Sequence, residues 1–307
     1  MAARPIIIDC DPGTDDAIAL MLAFASPELD VRAVTVAGGN VGLQRTLANA
    51  LALTALAGNC APVHGGADRP LLGAFESAPH IHGDDGLGGI VLAPGGNPAP
   101  GTAADAIRGI LRDATTPVAL VGIGPATNLA LALATEPSLA GKVDAVALMT
   151  GAWGEGNTTA SAEFNALCDP EALAVVLACG RPIGLAPLEL TAQALVTPAR
   201  IDALRRRGAG RCLRAACDIM AAVPLSERLD GLGHPLHDPC ALAWLIRPSL
   251  FRTRDCPVAV ELHGASRGRT IIDRWGRSGQ AANATVLESL DADGFFDLLG
   301  ERLATLP

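Results

Sequence analysis

Two patterns of apolar residues alternate along this 307-residue chain. Short unbroken aliphatic runs end in aspartate, asparagine or glycine. Longer stretches follow whose apolar residues recur every three or four positions. The first run, residues 6–8, is continuous rather than alternating, as in a strand buried on both faces of a parallel sheet. It passes through Pro12 and Gly13 into a predicted helix over 17–25. The same unit recurs: a strand at 31–36 with a helix at 43–57, a short strand at 61–63 with a helix at 103–112, then strands at 118–123, 143–149 and 181–185. Further helices are predicted at 198–207, 211–223, 240–246 and 293–303. Repeated strand–turn–helix units predict an α/β fold. The expected form is a single open, mainly parallel doubly wound sheet with helices on both faces, in one domain over 1–307. Residues 258–263 and 269–275 alternate and predict a late β-hairpin, with a short strand at 284–287. Residues 68–96 have few periodic positions and read as a loop, with His80, His82, Asp84 and Asp85 on it. Such a loop is either solvated surface or a flap over a pocket.

Composition narrows the function classes. Half of the residues are hydrophobic, enough for a large core, and the net charge of −9 argues against nucleic-acid binding, which needs a basic field. No apolar run is long and charge-free enough for a bilayer, so no membrane partner is expected. The first strand begins almost at once, which leaves no room for a signal peptide and predicts a cytoplasmic protein. There are eight cysteines and no CxxC pair. Cys10, Cys168, Cys179, Cys240 and Cys256 sit in or beside apolar segments and read as reduced core thiols. Tyrosine is absent, so the core is aliphatic.

The candidate chemistry begins at the end of the first strand. The stretch DCDPGTDD sets Asp9, Asp11, Asp15 and Asp16 within eight residues, at the strand end where open α/β sheets bind ligands. One aspartate is explained by capping the next helix; four are not. Carboxylates this dense repel one another and call for a cation. All are hard oxygen donors, which suit Ca²⁺ or Mg²⁺. Asn40 follows two glycines at the tip of the next strand. It faces the cluster if the two strands are neighbours, and is otherwise a turn residue. Gly122, Gly124 and Pro125 form a turn before Thr127 and Asn128. It is not GxGxxG and no basic residue follows, which argues against a dinucleotide site. Further on, Asn157, Glu163 and Asn165 stand close together, and an extended backbone puts Glu163 and Asn165 on one side of Phe164. His237 and Asp238 precede Pro239 at a helix start.

Together these stretches resemble a known family. DCDPGTDD, Asn40, HGDDGLGG, GPATNLA, GNTTASAEFN and PLHDP occur in the order found in the inosine–uridine preferring nucleoside hydrolases, over about the whole chain. The resemblance implies hydrolysis of the N-glycosidic bond of ribonucleosides to free base and ribose. It implies one Ca²⁺ at the pocket floor and a homodimer or homotetramer. Carried over, Asp11 is a metal ligand and the base that takes a proton from the attacking water. Asp16, the carbonyl of Thr127 and Asp238 complete the ligands. Asp15, Asn40, Asn165 and Asp238 hold the 2′- and 3′-hydroxyls, and Asn157 and Glu163 the 5′-hydroxyl. Asp9 supports the cluster from behind. His237 lies over the base as the candidate proton donor, and His82 stands where pyrimidine-preferring members place a base-contacting histidine. One departure matters. Many members carry tyrosines before PLHDP that touch the base; Ser226, Glu227 and Arg228 stand there in this chain.

This chemistry suits an oxocarbenium-like ribosyl transition state, reached by attack of water and therefore with inversion. Histidine donates protons near neutral pH. The acidic loop around Asp84 and Asp85 is expected to raise the pKa of His82, and the His82–His237 pair leans the expectation to pyrimidine ribonucleosides. Purine-preferring or broad ribonucleoside hydrolysis is the first alternative. Others are a non-catalytic nucleoside-binding protein, a ribosyl hydrolase with a larger leaving group, and a haloacid-dehalogenase-like phosphatase in which Asp9 is the nucleophile.

Overall fold

A computed structural model describes residues 2–73 and 77–307. In chain order, β1 (Arg4–Cys10), α1 (Thr14–Phe24), β2 (Leu29–Val36), α2 (Leu43–Leu56) and β3 (Val63–Gly65) come first. A short helix α3 (Pro79–His82), then α4 (Ala103–Asp113), β4 (Val118–Gly122), α5 (Thr127–Thr135) and β5 (Val143–Met149) follow. Next are α6 (Phe164–Cys168), α7 (Pro170–Leu177), β6 (Ile183–Ala186), α8 (Leu188–Thr191), β7 (Leu195–Val196), α9 (Pro198–Arg205) and α10 (Arg211–Ala222). The chain ends with β8 (His234–Pro235), α11 (Pro239–Ile246), β9 (Phe251–Cys256), β10 (Val258–Val260), β11 (Thr270–Ile272), β12 (Ala284–Leu290) and α12 (Ala292–Leu303).

Eight strands form one open sheet in the order β3-β2-β1-β4-β5-β6-β12-β9. Every neighbouring pair is parallel except β12–β9. The continuous apolar runs are explained by burial on both faces. Ile6 and Ile8 pack into one core with α1, α10 and α12, while Ile7 packs into the other with α4, α5 and α7. Side chains alternate across the pleat, so a run without polar residues is what a doubly covered strand needs. Burying large apolar side chains such as these stabilises by roughly 1.5–3 kcal/mol each.

The late hairpin is present as β10–β11, an antiparallel pair outside the main sheet. The short strand expected at 284–287 runs to Leu290 and joins the main sheet beside β6. The sequence reading missed β9, whose central residues Arg252–Asp255 are exposed. A charged, solvated edge strand lacks the apolar run that marked the others, and its charges protect the open edge. Within the expected loop at 68–96 the chain forms α3; residues 74–76 of that stretch lie outside the described residues. Among the described residues no helix is long and apolar enough to cross a membrane. Cys10, Cys212, Cys217, Cys240 and Cys256 are buried free thiols, whereas Cys179 is only partly buried and Cys60 is exposed.

The topology fixes where a ligand binds. From β1 the chain moves outward to β2 and β3, then returns to place β4 on the other side of β1. The crossovers diverge there, and a crevice opens beyond the carboxyl ends of β1 and β4.

Candidate functional site

The crevice floor is built by the first turn of chain after β1. Asp16 reaches back from α1: its Oδ1 accepts the N–H of Asp11 at 3.1 Å and its Oδ2 that of Gly13 at 2.9 Å. It caps α1 and belongs to the acidic cluster at once. Asn40, at the tip of the neighbouring strand, closes the other side. Its backbone N–H donates to Asp11 Oδ2 at 2.7 Å, and its Nδ2 donates to the Asp11 carbonyl at 3.1 Å and to Asp16 Oδ2 at 3.0 Å. Asp11 is fully buried, and its Oδ1 is left with no hydrogen-bond partner. Glycine is required around it, because a Cβ on Gly39 or Gly124 would overlap its carboxylate.

Asp15, Asp16 and Asp238 each bring a carboxylate oxygen within 4.8 Å of the others. Asp238 is the residue before α11, yet its side chain makes no cap bond there. In the sequence reading Asp11, Asp16 and Asp238 were the carboxylate ligands; the compact trio has Asp15 in place of Asp11, one of whose oxygens is engaged by Asn40. Burial raises the pKa of Asp16 to about 7, with the Asp15 charge adding to it. Burial and then neighbouring carboxylates likewise raise Asp11 and Asp238. Among the described residues no lysine or arginine lines the cavity to offset this charge. An all-oxygen set of this kind, with an orphaned buried oxygen beside it, fits a hard divalent cation of the Ca²⁺ type.

Asp9 has a different place. Its Oδ1 accepts Thr35 Oγ1–H at 2.6 Å and Asn128 Nδ2–H at 2.9 Å, and burial lifts its pKa to about 7. It is 1 % exposed and does not line the cavity, so a substrate cannot reach it as a phosphatase nucleophile. Thr127 opens α5 with its hydroxyl donated to Asp169 Oδ2 at 2.7 Å.

The walls hold the remaining residues. Asn165 spends its Nδ2 on the carbonyls of Ile123 and Met149, both at 3.1 Å, which turns its Oδ1 to other donors. Glu163 has the expected extended backbone, but Phe164 and Asn165 turn into α6 instead of continuing the strand. Glu163 caps α6, its carboxylate accepting the N–H groups of Asn165, Ala166 and Gly151 and the Thr150 hydroxyl. Short helix starts satisfy free N–H groups in this way, and that need overrides the strand pattern. Asn157 is exposed, and its Oδ1 accepts the Phe164 N–H at 2.9 Å. Both Asn157 and Glu163 line the cavity, as do Asp15, Asn40, His82, Asn165, His237 and Asp238. The cavity has a volume of about 800 Å³.

His82 is buried, its Nδ1 held by the backbone N–H of Thr14 at 3.2 Å and the Thr14 hydroxyl at 2.9 Å. Burial lowers its pKa, against the expected rise. Asp85 is turned away to accept the N–H groups of Leu87 and Gly89, so the loop's acidity does not reach the ring. His237 is half-buried, with Nδ1 2.7 Å from Thr191 Oγ1, and burial lowers its pKa too. The roles of Thr14, Thr191, Gly39 and Asn128 were not read from the sequence. Only Thr14 carried a signal, by its place inside DPGTDD.

Residues 6–297 match the family described as inosine-uridine preferring nucleoside hydrolase. The chain belongs to that family. It is 43% identical over 306 residues to the pyrimidine-specific ribonucleoside hydrolase RihA of Salmonella agona, covering 98% of each chain. Identity to the protein of that name from Photobacterium profundum is also 43%, over 98% of this chain and 99% of the relative. Among solved structures, the purine-preferring ribonucleoside hydrolase from Gardnerella vaginalis superposes with a TM-score of 0.89 at 29% identity, covering 98% of each chain.

The chain is thus an enzyme of the nucleoside hydrolase class, with a Ca²⁺-type acidic floor. Beside polar Ser77, His80, Ser226 and Glu227, the cavity of this nucleoside hydrolase has a set of apolar lining residues. Ile81, Met220, Val223, Pro224, Leu225 and Leu229 line it where the sequence has no tyrosine to offer.

Proposed function

We propose that this nucleoside hydrolase cleaves pyrimidine ribonucleosides to the free base and ribose, with a Ca²⁺ ion held by Asp11, Asp16, Asp238 and the Thr127 carbonyl. When bound, such an ion lowers the pKa of a water molecule and orients it. Asp11 takes that water's proton through Oδ1, an atom with no other partner. Asp15, Asn40, Asn165 and Asp238 hold the 2′- and 3′-hydroxyls, with the amide Nδ2 atoms of both asparagines already engaged by the protein. Asn157 and Glu163 take the 5′-hydroxyl. The carboxylates around the sugar favour the positive charge that develops on the ribose as the bond breaks. His82 and His237 flank the departing base, and Asp9 holds the strand end from behind.

The observation that carries this reading is the juxtaposition, in one cavity, of an acidic floor with no lysine or arginine among the described lining residues and two threonine-held histidines. The 43% identity to pyrimidine-specific relatives supports the choice of base. We further propose that the whole chain works as one domain, in a homodimer or homotetramer. The buried free thiols of Cys10, Cys212, Cys217, Cys240 and Cys256 support a reducing, cytoplasmic setting.

The test is base release from uridine, cytidine, inosine and 2′-deoxyuridine, with and without calcium chelation. Uridine and cytidine should be cleaved in preference to inosine, and chelation should abolish turnover until Ca²⁺ is restored. An unmet hydrogen-bonding group at the 2′ position costs roughly 1–3 kcal/mol, so 2′-deoxyuridine should be about ten- to a hundredfold poorer. Preference for inosine refutes the pyrimidine assignment, and full activity in chelator refutes the metal.

A further inference from the structure

We infer that Thr14 and Thr191 hold the two cavity histidines in opposite tautomers, so that His82 presents an Nε2–H donor and His237 an Nε2 lone pair. The inference rests on the pyrimidine reading for its consequence, but the tautomers of the neutral rings follow from hydrogen-bond bookkeeping.

At His82, Nδ1 lies 3.2 Å from the backbone nitrogen of Thr14. A backbone N–H can only donate, so Nδ1 must be the unprotonated nitrogen. The Thr14 hydroxyl, 2.9 Å away, then donates to the same atom. The ring proton is left on Nε2. At His237 the order is reversed. Thr191 Oγ1 lies 3.2 Å from the Leu188 carbonyl and 2.7 Å from His237 Nδ1. A carbonyl only accepts, so the one hydroxyl hydrogen goes to Leu188. The hydroxyl oxygen must then receive Nδ1–H from His237, since this is the assignment that makes both bonds. In the neutral ring, the form present at mildly alkaline pH, the lone pair is left on Nε2. Thr191 is fully buried, so no water competes for its hydroxyl.

The two rings therefore divide the work. Both line the cavity. His82 offers a fixed N–H to the C2 carbonyl that uracil and cytosine share, where negative charge gathers as the base departs. A donor already aimed at developing charge lowers the barrier without transferring its proton. His237 in its resting state is an acceptor, suited to a hydroxyl or N–H of the substrate. Thr14 and Thr191 act through these rings and are positioning residues.

The anchors differ in kind, and that difference supplies the test. His82 is set by a backbone N–H, which Thr14→Val keeps. His237 is set by a side-chain oxygen, which Thr191→Val removes. Nitrogen-15 spectra of histidine-labelled protein at mildly alkaline pH, assigned with His82→Asn and His237→Ala, report which ring nitrogen bears the proton. Wild type should show Nε2–H at His82 and Nδ1–H at His237. Thr14→Val should leave the His82 pattern intact. Thr191→Val should erase the His237 preference and lower kcat/KM for uridine about tenfold, as expected for one lost hydrogen bond. Thr191→Ser should restore both. Wild-type spectra with the same tautomer at both rings overturn the inference, as does a Thr191→Val protein with an unchanged His237 pattern. The spectra need no turnover, so failure to cleave any nucleoside would count against the proposed function alone.

Discussion

The floor and the rim of the cavity are built on opposite principles. At the floor, Asp11, Asp16 and Asn40 are fixed by five hydrogen bonds between β1, α1 and the tip of β2, and every one involves a buried atom. At the rim, Ile81 and Leu225 are 44% and 52% exposed and contribute apolar surface. The floor carries directional chemistry that tolerates little displacement. The rim carries non-directional burial, which any apolar residue of similar size can supply. On the proposed reading, reaction chemistry is tied to the densely hydrogen-bonded floor, and base recognition to the side walls and entrance.

The comparison is broken most directly at Asp11. Replacing it with alanine removes the orphaned oxygen and its proton-accepting role, and turnover on uridine should fall about 10³-fold. Steady-state kcat with folding checked by circular dichroism decides it; a loss under tenfold would mean that the floor is not where the chemistry resides.

A second substitution tests rigidity without removing any functional atom. Gly124→Ala puts a methyl against the Asp11 carboxylate from the turn after β4. The carboxylate must move by a fraction of an ångström to an ångström, and misplacement on that scale costs about a hundredfold. The loss should appear in kcat rather than KM. Unchanged kcat would show the floor to be more pliant than its hydrogen bonds imply.

The smallest effect is expected at the rim. Leu225→Ser removes a half-exposed apolar side chain, a change usually worth within about 0.5 kcal/mol, or roughly twofold. It should act on KM for uridine and leave kcat alone. A kcat loss comparable to that of Gly124→Ala would erase the distinction between the two regions.

The same division governs how much could be read without a structure. The covered strands announced themselves, because a strand buried on both faces cannot carry polar residues: β1, β4 and β5 are apolar throughout their central positions. The acidic floor was legible for a related reason. Carboxylates crowded at a strand end have no structural use beyond one cap, so Asp11, Asp15 and Asp16 stood out as chemistry. The resemblance to the nucleoside hydrolases rested on these local, strongly constrained stretches.

What the linear chain withheld was whatever depends on partners distant in sequence. β9 is defined by pairing with β12, not by its own charged residues. Asn165 reads as extended from its neighbours, yet it lies in α6, whose first N–H groups the Glu163 carboxylate satisfies. His82 sits beside Asp84 and Asp85 in sequence, but its ring meets Thr14, 68 residues away. His237 finds Thr191 across 46 residues. Chain proximity therefore predicted the wrong direction for the pKa of His82, because burial acts through three-dimensional surroundings. The sequence alone determined the doubly covered strands of the sheet, the acidic cluster and the reaction class, because each rests on local, strongly constrained stretches. The tertiary structure decided what each histidine's Nδ1 meets, because its partner comes from 68 residues away at His82 and from 46 residues away at His237.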